Sequence, residues 1–73
     1  MLELVRQFLR RKPFRPFRVV LRSGARYDIL RPDKVAIGLS KAYAFLPPRY
    51  GITELPEGEI ELVYERRRAT RRN

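Results

Sequence analysis

Lys12-Pro13-Phe14-Arg15-Pro16-Phe17-Arg18-Val19-Val20-Leu21-Arg22-Ser23-Gly24 is the stretch on which the fold of this 73-residue chain turns. Its two prolines lack a backbone donor and push the residue before each toward extended backbone, so no helix runs through them. Phe17, Val19 and Leu21 then alternate with Arg18 and Val20, the period of a strand with one buried face. The loop that follows decides the hairpin register. A two-residue Ser23-Gly24 loop sets Leu21 opposite Arg26 and mixes apolar with charged side chains on both faces. A three-residue Arg22-Ser23-Gly24 loop sets Leu21 by Ala25, Val19 by Tyr27 and Phe17 by Ile29. It also places Arg18 opposite Asp28 on the solvent face, a favourable cross-strand pair, with Gly24 in the left-handed third position of such loops. The second register is expected.

Upstream, residues 2–11 read as an amphipathic helix. Leu2, Leu4, Val5, Phe8 and Leu9 fall on one side, with Glu3, Arg6, Gln7, Arg10 and Arg11 on the other. So short a helix is unstable alone in water and must dock. Its basic side is either a solvated cap surface or a phosphate-binding face. Phe14 and Phe17 anchor the helix–sheet junction; an exposed Phe14 would instead offer a stacking platform for a base.

Downstream, Arg31-Pro32-Asp33 breaks the second strand. Val35, Ile37 and Leu39 alternate as a third strand, and Tyr43 and Phe45 keep that parity in a fourth after a Ser40-Lys41-Ala42 loop. Ala36, Gly38 and Ala44 then form a small-residue sheet face, which either admits a second backbone or subunit or merely relieves crowding. Residues 47–58 read as a long irregular connection, in which Tyr50 beside Arg49 either stacks on a base or plugs the barrel end. Residues 59–65 form a last strand with Ile60, Leu62 and Tyr64 inward and the glutamates outward, where they discourage edge pairing. The expected fold is mainly β with an N-terminal helix, a small five-stranded SH3/Sm-like barrel over residues 1–65, followed by a disordered basic tail at 66–73.

Composition bounds the chemistry. A chain this short buries only roughly 60% of its unfolded surface, so one apolar layer is the core and a deep substrate cavity has no room. Cysteine and histidine are absent, which removes disulfides, thiolate metal sites and the commonest general base. There is no Ser-His-Asp or Cys-His set, no Gly-rich phosphate loop and no metal-ligand spacing. No enzyme activity, cofactor or metal is expected. Nothing resembles a secretory signal or a membrane span, and a cytoplasmic location is expected.

Charge carries the functional expectation. Seventeen Lys and Arg face eight Asp and Glu, a net +9, and only Lys12, Lys34 and Lys41 are lysines. Arginine favours bidentate phosphate contact and stacking. The acids are unevenly spread: Glu54, Glu57, Glu59, Glu61 and Glu65 fall in one block without a cation. Such a field attracts polyanions. The chain is expected to bind nucleic acid, DNA or RNA, through phosphates. The residues expected to do so are Arg6, Arg10, Arg11, Arg15, Arg18, Arg22 and Arg26, with Arg66, Arg67, Arg68, Arg71 and Arg72 of the tail. The alternative is a protein–protein interaction module or homo-oligomer that meets its partner through the small-residue face and the acidic last strand.

Two stretches carry a resemblance. Residues 13–29, from the Pro-Phe-Arg-Pro-Phe run through the Ser-Gly turn to Ile29, and Arg31-Pro32-Asp33-Lys34-Val35-Ala36 are similar to a family of short uncharacterised bacterial proteins. Members show a short helix, a Pro-Phe-x-Pro-Phe lead-in, a strand ending in a Gly turn and a Pro-acid step before the third strand. The resemblance covers roughly residues 2–39 and implies no activity. To Sm-like RNA chaperones the likeness is one of architecture only, since their Asp/Asn strand–loop signature is missing and the sole asparagine is Asn73.

Overall fold

Leu2–Arg10 forms α1 in the computed structural model, which describes residues 1–66. Its first turn is held from a distance: the Glu57 carboxylate accepts the Leu2 N–H at 2.9 Å and pairs with the Met1 ammonium at 2.6 Å. That carboxylate stands where a capping side chain normally would, against the positive end of the helix dipole. Arg11 is already extended (φ −61°, ψ 141°), so the helix stops just before Lys12-Pro13. Leu2, Val5 and Phe8 are buried. The Phe8 ring lies 5.1 Å from that of Phe17, and Phe14 meets Phe17 edge-on at 6.0 Å. Phe14 is thus a core anchor rather than an exposed platform.

Six strands follow: β1 (Phe17–Leu21), β2 (Arg26–Ile29), β3 (Val35–Ile37), β4 (Lys41–Leu46), β5 (Gly51–Pro56) and β6 (Ile60–Glu65). They form two antiparallel sheets, ordered β2-β1-β6 and β3-β4-β5, whose inner faces share one core with α1. The β1–β2 register has Phe17 opposite Ile29, Arg18 opposite Asp28 and Val19 opposite Tyr27, as the charge and alternation argument requires. Gly24 has φ +95° with nothing within 4 Å of a built Cβ, so the turn needs glycine for its backbone and not for space.

Six expectations need correction. Among the described residues the sheets do not close into a barrel. A 3-10 turn at Pro32–Lys34 interrupts the path from β2 to β3, and another at Glu57–Glu59 separates β5 from β6. The strands number six rather than five because residues 51–56 of the supposed irregular connection pair with β4. Pro47 and Pro48 sit in the hairpin turn and Pro56 ends an edge strand, places where proline removes no needed ladder bond.

The third strand stops at Ile37, since the Gly38 N–H turns to the Lys41 carbonyl at 2.8 Å. Leu39, expected inward, lies fully exposed in the loop. A Cβ on Gly38 would stand 3.1 Å from the Lys41 oxygen, so glycine here permits a tight turn rather than an open sheet face. In β4 the parity is the reverse of that expected: Ala42 and Ala44 are completely buried, while Phe45 points outward and Tyr43 is half-buried. The core volume is already taken by Phe17, Ile29, Leu55, Val5 and Val19, and only methyl groups fit beneath β4. The small-residue face therefore does not exist as one surface: Ala44 faces in, Gly38 turns, and Ala36 is exposed.

In β6 the phase slips. Leu62 stands opposite Val20 and Ile60 opposite Leu21, leaving Glu61 as the extra residue of a bulge. Ile60 and Val63 are consequently buried, and Leu62 and Tyr64, expected inward, are exposed. Arg66 continues the pairing, its N–H reaching the Pro16 carbonyl at 3.0 Å. The rest of the expected tail, residues 67–73, lies outside the described residues.

Candidate nucleic-acid interface

The outward face of the β2-β1-β6 sheet sets Arg18 between Asp28 and Tyr64, and Val20 between Arg26 and Leu62. The bulge at Glu61 is what turns Leu62 and Tyr64 to this side. Asp28 accepts the Arg18 Nε–H on Oδ1 at 2.6 Å and an Nη2–H on Oδ2 at 3.2 Å, and the Arg66 Nε lies 3.3 Å from that same Oδ2. A guanidinium has five donors, so the fork to Asp28 and the Tyr64 hydroxyl leave Arg18 with donors to spare. Hydrogen bonding from Arg18 holds the Asp28 carboxyl below the usual carboxylate range; partial burial opposes this, and the charges of Arg18 and Arg66 reinforce it. The same bond, with help from the Tyr64 hydroxyl, raises Arg18 further above its already high value. The cation is permanent.

A second carboxylate, across β1 from Asp28 at the end of β6 and opposite Phe17, repeats the arrangement. Glu65 accepts from Arg11 at 3.0 Å and from Arg15 at 3.4 Å. The Arg11 guanidinium also lies 4.3 Å from the centroid of the Phe8 ring, within cation–π range. Between the two pairs lies an open groove of about 450 Å³ lined by Arg15, Pro16, Glu65 and Arg66. Four guanidiniums are thus gathered by two acids at the C-terminal end of β6. In sequence, Arg67, Arg68, Arg71 and Arg72 follow directly and lie outside the described residues.

The other arginines named from sequence are not gathered there. Arg6 pairs with Glu3 at 2.9 Å on the helix surface, and Arg10 has no carboxylate within reach among the described residues. Arg22 donates to the Gly58 carbonyl at 2.9 Å, and Arg26 shares the face with Arg18 without an acid of its own among the described residues. The acidic block proves largely internal. Glu54 pairs with Lys41, Glu57 with the N-terminus and Glu65 with two arginines. Glu57 is accordingly held below its ordinary range, first by the terminal ammonium and then by the Leu2 N–H. Glu57 and Glu65 therefore fasten the helix segment at the two ends of β6, Glu54 braces β5 against β4, and Glu59 and Glu61 are exposed.

Sequence reasoning missed Lys34, Phe45 and Tyr50 as a group. With Leu30, Leu46 and Pro47 they line a small hollow of about 90 Å³ whose wall includes Asp28 and Arg31. Tyr50 has φ 58°, a left-handed conformation uncommon for an aromatic residue. Its N–H is held by the Leu46 carbonyl at 2.8 Å, and the Lys34 ammonium stands 5.5 Å from its ring centroid. No signal in the sequence joins residue 34 to residue 50; only the unexpected β4–β5 hairpin does.

Among the described residues no helix is long and apolar enough to cross a membrane. Comparison with protein-family models, curated proteins and solved structures finds no match for this chain.

Proposed function

We propose that this chain binds nucleic acid through its phosphates and catalyses nothing. The observation that supports the reading is the convergence of Arg11, Arg15, Arg18 and Arg66 on only two carboxylates, Glu65 and Asp28. The acids cancel half of the local charge and hold the guanidiniums in place. The surplus positive charge and the unspent donors are what phosphate oxygens need. Arg26 on the same face extends the positive surface along β2. The phosphate reading depends neither on an SH3 or Sm-like barrel, which the two sheets do not form, nor on the resemblance carried by residues 13–29 and 31–36.

The test is fluorescence anisotropy of labelled single-stranded and duplex oligonucleotides in dilute buffer. Wild-type protein should bind, and the double variant Arg15→Glu/Arg66→Glu should lose at least tenfold in affinity. Both side chains are about half exposed or more, so charge reversal leaves the core untouched. Absence of binding by the wild type at low salt would end the reading.

A second reading has one observation in its favour. Phe45 and Ile52 are opposite each other on the outward face of the β3-β4-β5 sheet and both are exposed. A partner protein covering that face would suit them. This face, not the small-residue one, is where the interaction-module alternative now stands.

A further inference from the structure

The hollow beside Tyr50 is apolar, small and flanked by cations, and it adjoins the arginine cluster through Asp28, which belongs to both. Its volume of about 90 Å³ is about three water molecules' share of liquid, far below the roughly 300 Å³ at which pockets for drug-sized ligands begin. It admits one flat ring or one side chain. Along β2 it widens into a second hollow of about 300 Å³ reaching Arg26, Tyr27 and Thr53. Together these make a continuous path from Arg66 and Arg18 past Asp28 to the Tyr50 ring.

We infer that the nucleic acid is single-stranded and that one of its unpaired bases enters this hollow against Tyr50 and Phe45. The inference rests on the phosphate reading above and adds to it the class of nucleic acid and the residues that select it. Charge decides the occupant. Arg31, Lys34 and Arg49 lie in or next to the segments forming the hollow. Asp28 is already engaged by two arginines and Asp33 by Arg31. Lys34 has no carboxylate within reach among the described residues and rests over the Tyr50 ring. Its flexible stem allows the ammonium to move to the phosphate of an arriving nucleotide, uncovering the ring for stacking. A base within a duplex is stacked on its neighbours and cannot enter, whereas a single strand offers its bases to aromatic side chains. The left-handed backbone at Tyr50 holds the ring at the rim.

The test compares Tyr50→Asn and Tyr50→Phe with wild type, using a labelled ten-nucleotide single strand and a duplex of the same sequence at one salt concentration. Asparagine tolerates the left-handed backbone, so the first variant removes the ring without straining the turn. Tyr50→Asn should lose about tenfold for the single strand, the scale of one stacked base, with duplex affinity unchanged. Tyr50→Phe should restore the single-strand affinity. Equal losses on both oligonucleotides, or no loss on the single strand, overturn the inference while leaving the phosphate reading intact. Wild-type protein that binds neither oligonucleotide overturns both. Tyr50-dependent capture of an acidic, phenylalanine-bearing peptide in preference to the single strand assigns the hollow to a protein and overturns the inference as well.

Discussion

Replacing Phe8 tests whether the helix is part of the fold or an appendage to it. Phe8 is only 7% exposed, with Phe17 5.1 Å from its ring and the Arg11 guanidinium 4.3 Å away. Phe8→Leu keeps most of the apolar contact. It loses the aromatic pair, worth about 1 kcal/mol, and the cation–π contact, worth about 0.5 kcal/mol. The expected cost is therefore about 1.5 kcal/mol. Phe8→Ala adds a cavity between α1 and β1 and should cost about 3–5 kcal/mol. A domain of this size has about 4–11 kcal/mol in total, so the alanine variant should lose a large share of its stability and the leucine variant much less. Urea titration followed by far-UV circular dichroism measures both. If Phe8→Ala unfolds within 1 kcal/mol of wild type, the helix does not stand on Phe17 and the shared core is wrong.

Three further outcomes follow from single positions. Leu39→Ala should leave stability within about 0.5 kcal/mol, because the side chain is wholly exposed; a loss comparable to that of a core residue would return Leu39 to a strand interior. Gly24→Ala should cost about 1 kcal/mol, since φ is +95° and an L-residue is disfavoured there, and a lowered melting temperature by about 4–8 °C is its readout. The Asp28 carboxyl is lowered in the fold by Arg18. Its contribution is therefore complete above the unfolded-state value near ~4 and is lost as pH falls through the lower folded value. Urea midpoints measured from neutral to acid pH should fall more for wild type than for Asp28→Asn, which lacks that contribution throughout; parallel profiles would deny the Arg18–Asp28 fork.

The first hairpin was legible because two kinds of information agree there. Alternation sets the faces of β1, and the Arg18–Asp28 pairing selects one register out of two. The helix was legible for the same reason, its apolar period matching its length and its boundary falling at Pro13. Beyond Ile37 the local pattern misleads. Side-chain size placed Tyr43 and Phe45 inward, yet the space beneath β4 is set by Phe17 and Leu55, which no local window contains. The bulge at Glu61 inverts the alternation of β6 midway, and a strict period of two cannot register it. The candidate site divides in the same way. Charge identified the arginines, but which of them gather depends on Glu65 and Asp28 coming together from distant positions. Tyr64 joins the candidate site only through the bulge, and Tyr50 meets Lys34 only through a hairpin that prolines disguise.

The dependence of oligonucleotide affinity on salt tests the central claim most directly. If Arg11, Arg15, Arg18 and Arg66 each neutralise one phosphate, the logarithm of the binding constant for duplex should fall with the logarithm of salt concentration at a slope of about −3.6, and for a single strand about −2.8. Arg15→Ala/Arg66→Ala should lower each slope by about half. A slope near zero, or one that the double variant leaves unchanged, would contradict the account, because the guanidiniums gathered by Glu65 and Asp28 would then not be holding phosphate.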